Sequence, residues 1–228
     1  MAGTGVGTAS LKIFIADDHE VVRQGLRSLL EKDPGWSICG EAANGREAVE
    51  RVLALKPDVV VMDLAMPHLN GLEATRQILR DVPRTAVLML SATESEEQVR
   101  EVLAAGARGF VLKSDAGKEL LAALAGLRAG RPFFSARIAE LVLQGYLRGG
   151  GGAPADAAAV KPAQPLTTRE REVLQLLAEG QSNKQVAAAL GIGIKTAEAH
   201  RANLMRKLKV RSVGELVRYA IRNKIVEA

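Results

Sequence analysis

The sequence is poor in the features that would mark an exported, membrane-bound or disulfide-stapled protein. Cys39 is the only cysteine among 228 residues, which excludes an internal disulfide or a cysteine cluster for zinc and suits a reducing cytosol. No apolar run reaches the roughly 18 residues of a membrane span. Residues 1–10 carry neither a charged n-region nor an apolar h-region, so they read as a disordered, cytoplasmic N-terminus and not an export signal. The glycines of Gly149-Gly150-Gly151-Gly152 follow no strand and precede no Lys-Ser/Thr pair, so they are not a phosphate loop. What remains is ordinary for a soluble globular protein of one or two domains, 47% hydrophobic and 25% charged.

Charge is unevenly spread. Residues 166–228 hold 12 Lys and Arg against 6 Asp and Glu, whereas residues 1–165 hold 19 against 20. The whole positive excess sits in the tail, where it suits a polyanionic partner.

From Leu11 the pattern alternates short β-type runs with amphipathic helical stretches. Runs at Leu11–Ala16, Trp36–Ala42, Asp58–Asp63, Ala86–Ser91 and Gly109–Lys113 are each followed by a helix, the last near Gly117–Ala129. Five βα units predict an α/β, doubly wound, five-stranded parallel sheet with right-handed crossovers. Ser135 is a candidate N-cap for a linker helix striped by Ile138, Leu141, Val142 and Leu143. A Gly/Ala/Pro stretch to Pro165 then reads as a flexible tether. The expected organisation is a disordered lead over 1–10, a sheet domain over 11–131, a linker helix and tether over 132–165, and a helical domain over 166–228.

Strand ends carry the chemistry. In open parallel sheets, function collects at the carboxyl ends of the strands. Here those ends deliver Asp17 and Asp18, Asp63, Ser91 and Ala92, and Lys113. Three converging carboxylates call for a hard divalent cation such as Mg²⁺, which takes few carboxylates and leaves room for water and phosphate oxygens. Lys113 and Ser91 can then hold an added oxyanion.

This constellation resembles the receiver domain of two-component response regulators, through Asp17-Asp18, Asp63 with Met66-Pro67 and Gly71, Ser91-Ala92, and Gly109-Phe110-Val111-Leu112-Lys113. The resemblance implies a flavodoxin-like strand order of 2-1-3-4-5. It also implies that Asp63 accepts a phosphoryl group from a sensor histidine kinase, with Mg²⁺ held by Asp18, Asp63, the Ala65 carbonyl and, through water, Asp17. Ser91 and Lys113 would contact the phosphoryl group and Phe110 would be the switch aromatic, although phenylalanine lacks the hydroxyl of the common tyrosine.

The tail reads as four short helices. Capping boxes are expected at Thr167/Glu170, Ser182/Gln185 and Ser212/Glu215, and a tight turn at Gly191-Ile192-Gly193 marks a helix-turn-helix. Leu166-Thr167-Thr168-Arg169-Glu170, Gly180-Gln181-Ser182-Asn183-Lys184-Gln185 and Lys195-Thr196-Ala197-Glu198-Ala199-His200-Arg201 closely resemble a LuxR-type DNA-binding domain. Together the two halves resemble a NarL/FixJ-type response regulator. Gly193 stands where the family usually has a capping serine, and Ala197 and Ala199 are smaller than usual. Lys195, Thr196, Glu198, Ala199, His200, Arg201 and Ala202 are the candidates to face promoter DNA, with Lys184 and Arg206 beside them. Val213, Leu216, Val217, Ala220 and Ile221 form an apolar stripe that serves the tail's own core and offers contacts for a homodimer.

The expected function is a phosphorylation-controlled transcription regulator, not an enzyme. Two alternatives stand against it. An aspartate-based, Mg²⁺-dependent phosphatase would want a second Asp where Ala65 stands. A DNA-binding regulator whose receiver is a phosphorylation-independent interaction module would not need the full set of Asp17, Asp18, Asp63, Ser91 and Lys113.

Overall fold

The computed structural model describes residues 10–149, 166–223 and 225–226. The expected N-terminal lead and the Gly/Ala/Pro tether lie almost wholly outside those residues.

Six parallel strands form one sheet: β1 (Leu11–Ala16), β2 (Trp36–Ala42), β3 (Val59–Asp63), β4 (Ala86–Ser91), β5 (Gly109–Leu112) and β6 (Phe133–Phe134), in the order β2-β1-β3-β4-β5-β6. The first five strands and their order match the expectation. β3 and β4 are buried at every position, as continuous apolar runs in a sheet covered on both faces must be.

Alternation along the strands sorts the core into two layers. Ile13, Ile15, Val61, Leu88, Leu90 and Val111 share a cluster with α1 (Glu20–Leu30) and α5 (Ala116–Arg128). Phe14, Val60, Met62, Val87, Met89 and Phe110 share the other with α2 (Gly45–Leu55), α3 (Gly71–Asp81) and α4 (Glu96–Ala104).

The sixth strand revises the linker. Phe133 packs against one cluster and Phe134 against the other, and α6 (Ala136–Gly149) sends the fully buried Ile138 into the α2–α4 layer. The segment from 133 is therefore built into the sheet domain. Two residues are too few to show a period, so the strand has no signature in the sequence.

Glycine is required where α3 meets the sheet. A Cβ on Gly71 would lie 2.0 Å from the carbonyl oxygen of Asp63, and one on Gly45 would lie 1.9 Å from that of Leu69. Both helix starts press on the loop that follows β3, which narrows where that loop can go.

The tail forms α7 (Thr168–Ala178), α8 (Asn183–Leu190), α9 (Ile194–Leu208) and α10 (Val213–Arg222) around a separate core of Val173, Leu174, Leu177, Val186, Leu204 and Leu216. Complete capping boxes stand at Thr167/Glu170 and Ser182/Gln185. The third is half formed. Ser212 accepts from the Glu215 N–H, but the Glu215 carboxylate accepts from the N–H of Arg211, one residue before the cap. Gly193 caps α9 with backbone alone.

Candidate functional site

The strand order β2-β1-β3 places the ends of β1 and β3 side by side, so Asp17 and Asp63 converge. Ligand atoms of Asp17, Asp18, His19 and Asp63 all lie within 4.8 Å of one another. Lys113, just past β5, puts its Nζ 2.8 Å from Asp17 Oδ2 and 2.9 Å from Asp63 Oδ2. Among the described residues, the one ammonium of Lys113 is the partner of both buried oxygens. Two buried carboxylates that share a single positive charge beside a third carboxylate are a donor set that fits a hard divalent cation such as Mg²⁺.

Electrostatics follow from burial. Asp63 is 2% exposed, and desolvation, reinforced by the Asp17 charge, pushes its pKa from 3.8 up to about 7 against the pull of Lys113. Burial works against the Lys113 charge too, but its bonds to Asp17 and Asp63 hold the ammonium above its ordinary range.

A cavity of about 430 Å³ opens above this cluster, lined by His19, Val22, Asp63, Leu64, Ala65, Ser91, Ala92, Thr93, Gln98, Lys113, Ile221 and Val226. Ser91 is buried and bonded within its own turn, its Oγ donating to the Thr93 carbonyl at 2.6 Å and accepting from the Thr93 N–H at 3.2 Å. Phe110 is fully buried. Asp17 accepts from the His19 N–H at 2.8 Å, and His19 Nδ1 lies 2.7 Å from Asp18 Oδ1. Sequence reasoning did not single out His19; its place directly after the aspartate pair was the available signal.

The tail packs against the sheet domain through α7. Gln175 Oε1 accepts from the Asn70 N–H, and its Nε2 donates to the Met66 carbonyl, both at 2.8 Å. Glu179 accepts from the His68 N–H at 2.9 Å. Gln77 donates to Glu172, and Arg171 pairs with the buried Glu73. Burial raises the Glu73 pKa against the pull of Arg76 and Arg171. None of these α7 residues was expected at a site, because a contact between residues about a hundred positions apart leaves no local pattern.

On α9, Ala197, Leu204 and Leu208 point inward, whereas Lys195, Thr196, Glu198, Ala199 and Ala202 are exposed and His200 and Arg201 half-buried. Arg201 donates to Asn183 of α8 at 3.4 Å. Lys184 and Arg206 are exposed. The apolar stripe of α10 divides. Leu216 and Ala220 are fully buried in the tail's own core and cannot meet a second copy without opening it, so as dimer contacts they are corrected to core residues. Val213 is exposed and Val217 half-buried; Ile221 faces the Asp63 cavity.

The family model "Response regulator receiver domain" matches residues 13–125, and "Bacterial regulatory proteins, luxR family" matches residues 164–220. The oxygen regulatory protein NreC of Staphylococcus aureus (strain JH9) is 36% identical over 218 residues, covering 95% of this chain and 100% of that protein. The chain is a NarL/FixJ-type response regulator. It joins a receiver to a LuxR-type DNA-binding domain, the plan of a two-component transcription regulator.

Solved structures of response regulators agree. RcsB of Salmonella typhimurium matches with a TM-score of 0.62 at 26% identity, over 96% of this chain and 99% of that one. A LuxR-family regulator from Aurantimonas sp. SI85-9A1 matches with a TM-score of 0.59 at 34% identity, over 61% of this chain and 100% of that one. Among the described residues, no helix of this response regulator is long and apolar enough to cross a membrane.

Proposed function

We propose that the regulator is switched by phosphorylation of Asp63 and that its phosphorylated form acts on promoter DNA. The observation that carries this reading is the buried Asp63 carboxylate at a strand end, beside Lys113 and Asp17 and open to a cavity shared with Ser91.

An Asp63 carboxylate oxygen attacks phosphorus in line. The P–N bond of a sensor kinase's phosphohistidine breaks, and the imidazole nitrogen leaves with the electron pair. Such a transfer asks little of the protein beyond positioning and charge neutralisation. Lys113 supplies one positive charge on the Asp63 side. Asp18, Asp63 and the Ala65 carbonyl would hold Mg²⁺, with Asp17 acting through water; bound there, the cation neutralises the carboxylates and the incoming phosphoryl oxygens. Asp63 at about pH 7 is half protonated without the cation, and only its carboxylate form attacks.

Ser91 breaks its local bonds to Thr93 to meet the acyl phosphate, which biases the receiver toward a second state. Phe110 lies in the layer that includes α4 and Ile138 of α6, so a shift of Ser91 and α4 reaches both. In the tail, Lys195, Arg201 and His200, with Lys184 and Arg206, supply contacts to DNA phosphates. Thr196, Glu198 and Ala199 face the base edges. Val213 and Val217 remain as dimer contacts. The reading places the protein in the cytoplasm, beside its kinase and its promoter.

Incubation with phosphoramidate and Mg²⁺ is expected to add one base-labile phosphoryl group, read by intact mass. Asp63→Asn is expected to abolish the addition and chelation of Mg²⁺ to stop it. A variant that still takes up phosphate overturns the assignment.

A further inference from the structure

We propose that the cation site beside Asp63 binds Zn²⁺ more tightly than Mg²⁺, because His19 adds an imidazole nitrogen to its carboxylates. The inference rests on the same donor set as the proposed phosphoryl transfer and concerns which ion that set holds.

His19 directly follows the aspartate pair and stands at the N-cap of α1, in extended backbone. A serine, aspartate or asparagine in that place usually bonds a free helix N–H, but the imidazole makes no such bond. The ring turns back instead. Its Nδ1 lies 2.7 Å from Asp18 Oδ1 and 3.4 Å from Asp17 Oδ1, and the residue lines the cavity that holds Asp63. The backbone here is pinned, since Asp17 Oδ1 accepts the His19 N–H at 2.8 Å and the Asp17 carbonyl accepts from Arg23 at 2.7 Å. The imidazole itself is 60% exposed, so side-chain torsions alone can turn it toward an ion.

Distances favour a shared ion. Ligand atoms of Asp17, Asp18, His19 and Asp63 lie within 4.8 Å of one another, and among the described residues this is the one group of three or more metal-ligating side chains. Atoms bound to a Zn²⁺ at about 2.1 Å stand up to about 4.2 Å apart. Closing the set therefore asks for small shifts.

The nitrogen separates the two cations. Mg²⁺ is a hard ion that takes oxygen ligands and keeps several waters, so an imidazole adds little to its binding. Zn²⁺ bonds imidazole and carboxylate alike. His19 thus raises the affinity for one ion and not for the other.

The test is isothermal titration calorimetry of the full-length protein with zinc chloride and with magnesium chloride, on wild type, His19→Ala and Asp63→Asn. Zn²⁺ uptake that survives in Asp63→Asn belongs to other side chains and is subtracted. Wild type is expected to bind Zn²⁺ at the Asp63 site more tightly than Mg²⁺. His19→Ala is expected to lose about tenfold or more in Zn²⁺ affinity and to keep its Mg²⁺ affinity within about twofold. With Co²⁺ in place of Zn²⁺, the visible absorption that reports nitrogen ligation is expected to change in His19→Ala. Equal losses for Zn²⁺ and Mg²⁺ would show His19 acting only through the two aspartates, and an unchanged Zn²⁺ affinity would leave the imidazole outside the site; either result overturns the inference. Mg²⁺ binding that is the same in wild type and Asp63→Asn would instead remove the cation site itself, on which the phosphoryl-transfer reading also stands.

Discussion

Asp63→Asn is expected to stabilise the metal-free protein, increasingly so as pH rises. The Asp63 pKa is raised from 3.8 in the unfolded chain to about 7 in the fold, burial being the main cause. Between those values the folded state binds more protons than the unfolded one, so stability falls as pH climbs through the window and is lowest above pH 7. Every tenfold change in proton affinity is worth about 1.36 kcal/mol, so the ionisation penalty approaches roughly 4 kcal/mol. The pull of Lys113 is already contained in that shift, so the variant is expected to gain at most about 4 kcal/mol at pH 8. For a chain of this size each 1 kcal/mol is roughly 2–4 °C in Tm. The assay is thermal melting by circular dichroism at pH 5.5 and pH 8, in EDTA and again in excess Mg²⁺. The difference between variant and wild type should be several degrees larger at pH 8 than at pH 5.5 in EDTA. Mg²⁺ should narrow it, because a cation bound to the folded wild type stabilises that form. A difference independent of pH, or a variant less stable at pH 8, would refute the account of Asp63 as a strained, buried anion.

Three further outcomes are expected. Lys113→Ala removes the cation that pulls the Asp63 pKa down, so the pH midpoint of phosphoryl uptake from phosphoramidate at fixed Mg²⁺ should move upward; an unmoved midpoint counts against their pairing. Gly71→Ala places a methyl 2.0 Å from the Asp63 carbonyl oxygen and should cost about 3 kcal/mol or more, seen as a lower urea midpoint with impaired uptake. Lys195→Ala and Arg201→Ala should each weaken promoter binding; for a phosphate contact the loss is similar across sequences and the salt slope falls by about one unit. Binding unchanged in both would move the DNA-facing surface elsewhere.

Local pattern was enough to read the alternation of five strands and helices, the placing of Asp17, Asp18, Asp63, Ser91 and Lys113 at strand ends, and the helix-turn-helix. Each is written over a few neighbouring residues: a period of two or 3.6, a capping pair, or an acid at the end of an apolar run. Likeness to a known family supplied the strand order.

Other features exist only once the chain is folded. The two-residue β6 is too short to carry a period and forms because Phe133 and Phe134 can each bury on a different face. The stripe of α10 looks uniform in sequence, yet Leu216 and Ala220 serve the tail's core while Ile221 reaches the Asp63 cavity, since one helix can present different positions to different neighbours. Whether the receiver covers the face of α9 proposed to meet DNA was likewise open from sequence. The described contacts between the halves run through α7 and the end of α10, and leave Lys195 exposed. The grip of Gln175 on Met66 and Asn70 joins positions more than a hundred residues apart. Its partners are backbone groups, which every residue carries, so no side-chain pattern could have announced it.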